Sequence, residues 1–359
     1  MKYLFLLLLS LVVLTSCETE FSLSGEYEET PIVHMLLDPN DEIHYLKLNK
    51  TFLGEGNAND FAMVADSAYF DDVDAVVEEI EIDNGVINVL RSWSLKDTLI
   101  ENKESGAFYY PEQKLYFFKE PALDEDLTYR LRIDINNGQH IVTGETELVR
   151  NIGISYPSVV QRLNFAENDV PQNGYNTQSI SFSEGQGARI FKVEIRFDYR
   201  EQKQSGAENK SLTWDIGTVR SEDLTGVGAS VAANGELFYQ VIGNRVEDDP
   251  EVTRRTVRGF EIRVVAGSED LNTYMLVNQP TSSLAQNQPT FSNVEGGIGI
   301  FSARTTATQY KYLNPPGGFT RGFNLNSTKE LCTGQYTGDL LFCSNNPDDI
   351  ATNEPFACN

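Results

Sequence analysis

The stretch that most restricts the fold is Arg189–Arg200, "RIFKVEIRFDYR". Phe191, Val193, Ile195, Phe197 and Tyr199 alternate strictly with Lys192, Glu194, Arg196, Asp198 and Arg200. Side chains on a strand point to opposite faces in turn, so this pattern means one face in a core and one in water. The charged face alternates in sign, which favours pairing within the sheet over ligand binding. Leu127, Tyr129, Leu131, Ile133 and Ile135 repeat the same period, "NNG" (136–138) turns the chain, and a second strand follows from Gln139. That is a β-hairpin. The chain is therefore expected to be mainly β.

Shorter runs complete two halves. In residues 31–150, "PIVHMLLD" and "IHYLKLNK" read as strands joined by a "PNDE" turn, followed by "VVEEIEI", "VINVLRS" and "KLYFFK". Between them, "NANDFAMVADSAY" places Phe61, Val64, Ala65, Ala68 and Tyr69 on one helical face, with Asn59 or Asp60 as cap. The Leu-x-Tyr-x-Leu run at 127–131 resembles the late strands of immunoglobulin-like and fibronectin type III domains. The resemblance implies a β-sandwich in which a Tyr hydroxyl ties its strand to a neighbouring loop. In residues 151–359, "SLTWDIGTV", "GELFYQVI" and "GFEIRVVAG" read as further strands. "SEDLNTYMLV" reads as a helix capped at Ser268 and interrupted at Pro280, and "GGIGIF" (296–301) returns to strand after a glycine turn. The expected architecture is an immunoglobulin-like sandwich over 31–150, then a β-rich C-terminal domain over 151–359 with one or two short helices. A chain of 359 residues suits two such units.

The first thirty residues say where such a protein resides. Lys2, an apolar run from Tyr3 to Val13 and "LTSC" (14–17) form a signal peptide over 1–16, too short to span a bilayer. A Leu, two small residues and Cys resemble the bacterial lipobox. The resemblance implies cleavage before Cys17 and acylation of Cys17, which anchors the chain firmly because each buried CH₂ is worth ~0.8 kcal/mol. Residues 17–30 form an acidic tether with Glu18, Glu20, Glu26, Glu28 and Glu29. Acidic residues behind a lipidated cysteine resemble a surface-export signal of Bacteroidota-type envelopes. The expected location is the outer membrane, lipid-anchored and facing the cell exterior. No second apolar run reaches membrane length, so the lipid is the expected anchor.

Charge and rare residues narrow the chemistry. Fifty-three Asp and Glu against 28 Lys and Arg leave a net charge of −25, which argues against nucleic acid as a partner. Cys332, Cys343 and Cys358 lie in the last 28 residues. In an oxidising envelope one pair closes a disulfide and one thiol is left over; three pairings are open, with Cys332–Cys343 the natural hairpin staple. These cysteines have no neighbouring histidine and no C-x-x-C spacing, so no zinc site is expected. His34, His44 and His140 all fall in expected strands, outside any HExxH or nucleophile motif. His34 and His44 flank the first hairpin, which would bring them close in space, but the expected reading is that of ordinary strand residues. Gly296–Phe301 lacks the Lys and Ser/Thr of a phosphate loop, and its glycines serve a turn and a close backbone approach. The acidic runs Asp38–Glu42, Asp71–Asp74 and Glu247–Glu251 match no EF-hand loop and read as solvated turns. No catalytic residue, metal or cofactor is expected. Tyr109, Tyr110, Tyr310 and Tyr312 are candidate contact aromatics on loops.

"HYLKLNKTFLGEGNANDFA" near the start, and Asp270-Leu271 through "QP" to "FSNVEGGIGIF", resemble an uncharacterised lipoprotein family of Bacteroidota-type envelopes, a domain of unknown function. The resemblance transfers location and layout but no catalytic residue. Many such lipoproteins are similar to accessory partners of outer-membrane receptors. The expected function is therefore a non-enzymatic envelope lipoprotein that binds or presents a partner or nutrient, with an outer-membrane transporter or another envelope protein beside it. The alternatives are a carbohydrate- or peptide-acting envelope hydrolase, whose carboxylate pair is set by the fold, and a Ca²⁺-dependent adhesin.

Overall fold

The computed structural model describes residues 29–51, 58–101, 103–106, 108–168, 174–221, 229–279, 290–312 and 322–358. The signal peptide, Cys17 and the tether up to residue 28 lie outside them. The first half contains strands β1 (Pro31–Leu37) and β2 (Ile43–Lys50), helices α1 (Ala58–Ala62) and α2 (Ala65–Ala68), and β3 (Val73–Asp83). It continues with β4 (Val86–Ser94), β5 (Lys96–Ile100), β6 (Gln113–Lys119), β7 (Thr128–Ile135) and β8 (His140–Glu147). The second half runs β9 (Ile154–Tyr156), β10 (Thr177–Phe182), β11 (Ala188–Lys203), β12 (Gly206–Arg220), β13 (Ala229–Asn234), α3 (Gly235–Arg245) and β14 (Val252–Ser268). Then come α4 (Glu269–Val277), β15 (Val294–Glu295), β16 (Ile298–Tyr312), α5 (Leu325–Thr333) and α6 (Pro347–Ala351). The protein is mainly β, as its alternating runs require. Four of its short helices, α3 to α6, lie in the C-terminal part, against the one or two expected there.

Both halves contribute to one eight-stranded sheet, ordered β12-β11-β14-β16-β1-β2-β6-β5. Its centre is a parallel pairing of β1 with β16, with Val33 opposite Gly299 and Met35 opposite Phe301. Gly299 has φ +120°, and a Cβ there would lie 2.0 Å from the Val33 carbonyl oxygen. Only glycine lets the two backbones approach this closely. A five-stranded sheet, β15-β8-β7-β3-β4, packs on the β1-β2-β6 side. Trp93 of β4 links the layers by stacking at 5.3 Å on Phe118 of β6 and at 6.4 Å on Tyr129 of β7. The Tyr129 hydroxyl donates to the Asp124 carbonyl at 3.1 Å, tying the strand to the preceding loop as the sandwich resemblance implies. The "NNG" turn is present too, with Asn136, Asn137 and Gly138 all at positive φ.

The β11–β14 side is closed differently. Phe191, Val193, Ile195, Phe197 and Tyr199 are all buried, as the alternation predicts. They lie under a layer of aromatics supplied by Phe238 and Tyr239 of α3, Phe182 of β10, and Phe165 and Phe323 from connecting segments. Phe238 of α3 is the hub: its ring lies 4.6 Å from Phe165, 5.4 Å from Phe323, 5.8 Å from Trp214 and 6.0 Å from Phe197. The "GELFYQVI" segment, expected as a strand, is this helix. Asn234 caps it by accepting from the Leu237 N–H at 3.0 Å, and Phe238, Tyr239 and Ile242 share one buried face at helical spacing. The expected helix near residue 60 is instead two short helices, and Val64 is exposed where a core position was expected. The helix capped at Ser268 is present as α4, with Ser268 Oγ accepting from the Leu271 N–H.

The tail is held by a buried cation. Arg255 is 1% exposed; it pairs with Glu201 at 2.9 Å and donates to the carbonyls of Leu340 and Glu247, each at 2.8 Å. Its backbone takes both neighbours of Phe342: the Arg255 N–H donates to Leu341 and its carbonyl accepts from Cys343. This anchoring decides the disulfide. Cys343 joins Cys358 across 15 residues, and Cys332, expected in the staple, is a free buried thiol inside α5. Burial raises its pKa to about 12, so it stays a thiol.

Candidate functional site

Few of the residues singled out in the sequence come together. His34 and His44 point to opposite faces of the large sheet, because Leu46 and not His34 shares the Met35 face of the β1–β2 ladder. His34 Nε2 meets the Tyr274 hydroxyl at 2.7 Å, and burial, with Lys47 next, lowers its pKa. His44 is buried, with Nε2 bonded to the Glu120 carbonyl at 3.0 Å. His140 stands apart from both, beside Phe70.

The acidic runs are turn chemistry. Asp38 accepts from the Asn40 N–H at 3.0 Å and from Thr306 at 3.2 Å, and burial raises its pKa despite these bonds. Asp72 holds Asn137 at 2.7 Å, and Asp249 accepts from the Glu251 N–H and pairs with Lys203 at 2.8 Å. Among the described residues, no three His, Cys, Asp or Glu side chains are placed to hold a metal ion. Of the four candidate tyrosines, Tyr110 and Tyr310 are exposed, while Tyr109 is half-buried and donates to Glu112 at 3.0 Å. The Tyr312 side chain lies outside the described residues.

A more promising surface is the outer face of the five-stranded sheet. Tyr129, Leu131, Ile133 and Ile135 of β7 point into the core, so Thr128, Arg130 and Arg132 point away from it. Register then lays three rows across the sheet. Ile80, Thr128 and Glu147 form one, Glu78, Arg130 and Glu145 the next, and Val76, Arg132, Thr143 and Glu295 the third. Arg130 pairs with Glu78 at 2.6 Å, while Arg132 reaches it only at 4.0 Å and stays 57% exposed. Glu145, Glu147 and Glu295 are exposed and stand in no salt bridge among the described residues.

Two open clefts of about 490 and about 450 Å³ flank Glu145. The first is walled by Ile82, by the β8 segment Glu145–Leu148 and by Ser268, Glu269 and Asp270 at the start of α4. The second is walled by Arg130, Arg132, Asn293 and Glu295. Asn293 ties the two walls, donating to Asp270 at 2.9 Å and clamping the Phe301 backbone at 2.7 and 2.9 Å. Beyond Thr128 the β3–β4 hairpin runs past the end of β7, and Ile82, Ile87 and Val89 continue this face with 40–52% exposure. The result is an open polar surface with an apolar corner, suited to holding a ligand rather than enclosing one.

The charged face of Lys192–Arg200 is the opposite case. Arg196 pairs with Asp198 at 3.0 Å and with Glu261 at 2.6 Å, Arg263 also pairs with Glu261, and Lys192 pairs with Glu194 and Asp215. Four of its five charges, Lys192, Glu194, Arg196 and Asp198, are paired within the sheet, as the sign alternation predicts, and Arg200 at its end is exposed.

Sequence reading passed over the outer-face residues. Their signal was the wet half of the same alternation, in "TYRLRIDI" and "HIVTGETE". No signal showed that Glu295, some 150 residues on, joins β8 through the two-residue strand β15.

The family model described as "Domain of unknown function (DUF4249)" matches residues 37–310. No curated protein matches the chain. Among solved structures, the C-terminal globular domain of an oligosaccharyltransferase from Pyrococcus abyssi is similar at 14% identity, covering 67% of this chain and 48% of that one, with a TM-score of 0.23. The chain thus spans about half the length of that structure, and a likeness at this level carries no argument about fold or function.

Proposed function

The chain belongs to the DUF4249 family, a domain of unknown function, and from that premise we propose that it is a non-enzymatic, lipid-anchored binding protein of the outer membrane. In this reading Cys17 carries the lipid, the acidic tether spaces the body from the bilayer, and the five-stranded sheet holds an envelope partner or nutrient on its outer face. An outer-membrane transporter is the proposed neighbour. The anchor is supported by "LTSC" at 14–17 and the acidic residues behind it. The binding role is carried by one observation: Glu145, Glu147 and Glu295 stand exposed, in no salt bridge among the described residues, beside clefts of about 490 and about 450 Å³. Unneutralised like charges on one face cost stability through mutual repulsion, and a ligand that neutralises them repays that cost.

Two measurements test the reading separately. Cys17→Ser is expected to release the protein from the membrane fraction or leave the uncut precursor; metabolic fatty-acid labelling unchanged in the variant contradicts the anchor. Mild-detergent extraction of the wild-type protein is expected to bring an outer-membrane protein with it, in an amount that falls with Glu145→Gln/Glu147→Gln. Turnover of glycan, peptide or ester substrates by the purified protein, lost with a carboxylate pair, would replace binding with catalysis.

A further inference from the structure

The β3–β4 hairpin ends the five-stranded sheet with an open edge. Its turn is Asn84-Gly85, with φ +51° and +79°, the type I′ geometry that closes a two-residue hairpin. In such a ladder the flanking pair Asp83–Val86 is hydrogen-bonded, so the next, Ile82–Ile87, is not, and bonding alternates from there. Glu81–Asn88 is bonded and Ile80–Val89 is not. Ile87 and Val89 therefore aim both backbone N–H and C=O away from β3, at the open side. Among the described residues no strand pairs there.

Native proteins blunt such edges with Lys, Pro or a bulge. Residues 86–89 carry none of these, and the bulge comes only at Leu90, between the Val89 and Arg91 registers. The edge is also apolar on one face, where Ile82, Ile87 and Val89 are exposed. On the other face Val86 and Asn88 lie beside Asp83 and Glu81, both exposed and in no salt bridge among the described residues. The nearest cation of β4, Arg91, is committed to Glu79 and to Glu120 at 3.5 Å.

We propose that residues 86–89 of β4 are a docking edge for an extended segment of another protein in which apolar residues alternate with Lys or Arg. The segment would add a sixth strand beyond β4. Its backbone would bond Ile87 and Val89, its apolar residues would cover the Ile82, Ile87 and Val89 face, and its cations would reach Glu81 and Asp83. A second copy of the chain fits poorly. Its β4 would bring another Glu81 and Asp83 to the same face, on a body of net charge −25, and its cation Arg91 is already committed to Glu79 and Glu120. The inference rests on the binding-protein reading and names its partner's chemistry, but its test needs neither the lipid nor the membrane.

The probe is an eight-residue peptide alternating valine and lysine, with a valine–glutamate peptide as control, added to the purified mature protein. The expected result is saturable binding of the lysine peptide alone, with hydrogen-exchange protection of the Ile87 and Val89 amides. Ile87→Pro removes a donor from the open edge and no bond from the β3 ladder, as proline on an edge strand allows. It is expected to weaken binding at least tenfold with little change in melting temperature. Glu81→Gln/Asp83→Asn, which leaves the backbone intact, is expected to weaken it several-fold and flatten its salt dependence. Protection elsewhere, equal binding of both peptides or an unaffected double variant overturns the proposal. So does protection of β4 by dimerisation, or by the protein's own N-terminal segment as revealed by truncation.

Discussion

Two sheet faces in this protein carry rows of alternating charge, and they have opposite fates. On β11 and β14, Arg196, Asp198, Glu261 and Arg263 form a closed set of ion pairs, and Glu261 is buried beneath it at 1% exposure. On β7 and β8, Glu145 and Glu147 stand in no salt bridge among the described residues, Arg132 is largely exposed, and the adjoining hairpin shows its isoleucines to water. The first face sets Arg196 directly opposite Glu261 and closes the set with pairs along each strand, Arg196 to Asp198 and Arg263 to Glu261. The second leaves two glutamates of β8 next to a single paired arginine. Alternating charge alone therefore does not identify a binding surface; the bookkeeping of partners does. The opposite side of the β11–β14 sheet is equally finished, sealed by an aromatic layer around Phe238. One side of the molecule is built for rigidity and the other presents unmet groups.

Breaking the finished side is expected to have the largest effect. Phe238→Ala removes the ring that touches Phe165, Phe323, Trp214 and Phe197, and should cost about 3–5 kcal/mol in urea unfolding. A cost below about 1 kcal/mol would mean that this layer is not the stabilising centre. Removing the tail staple with Cys343→Ser should cost less, about 2–4 kcal/mol for its short loop. Free-thiol titration of the unreduced wild type should find a single thiol in the mature tail, released only on unfolding because Cys332 is buried.

The helix at 235–245 shows where sequence legibility stopped. "GELFYQVI" has the composition of a strand, and its side chains can satisfy either period over so short a run. The cap that decides the matter is Asn234, and a lone Asn before Phe, Tyr, Val and Ile fits a turn into a strand as readily as the start of a helix. The β11 strand was legible because ten residues, Phe191 to Arg200, alternate without error, and a pattern that long has one reading. The disulfide was not, because the pairing depends on Arg255, far upstream of all three tail cysteines, drawing 340–343 against β14. The outer face of the five-stranded sheet was half legible: period two puts Arg130, Arg132, Glu145 and Glu147 on the wet side, but which of them find a partner is set by the strands that come beside them.

A smaller effect sharpens the contrast through pH. Lys311 is buried on the core side of β16, donating to the carbonyls of Pro157 and Ser158 with no carboxylate beside it, and burial lowers its pKa to about 8. The unfolded chain then binds the extra proton between about pH 8 and its ordinary value of 10.5, so this group makes stability rise with pH across that window. Lys311→Met should flatten the rise in denaturant midpoint; an unchanged slope would show that the amine is solvated. The smallest effect on stability belongs to the open face. Glu145→Gln/Glu147→Gln should shift unfolding by no more than about 0.5 kcal/mol, within the usual range for exposed sites. A loss of several kcal/mol would make these glutamates structural.

The most direct test is carboxyl footprinting of the protein in its own membranes and after purification, with a carbodiimide and a small amine. The account predicts that Glu81, Asp83, Glu145 and Glu147 are labelled less in membranes than in the purified protein, while Asp215 and Glu208 on β12 are labelled equally in both. Equal labelling at all six sites, or protection confined to the β12 side, would contradict the claim that the five-stranded sheet is the working surface.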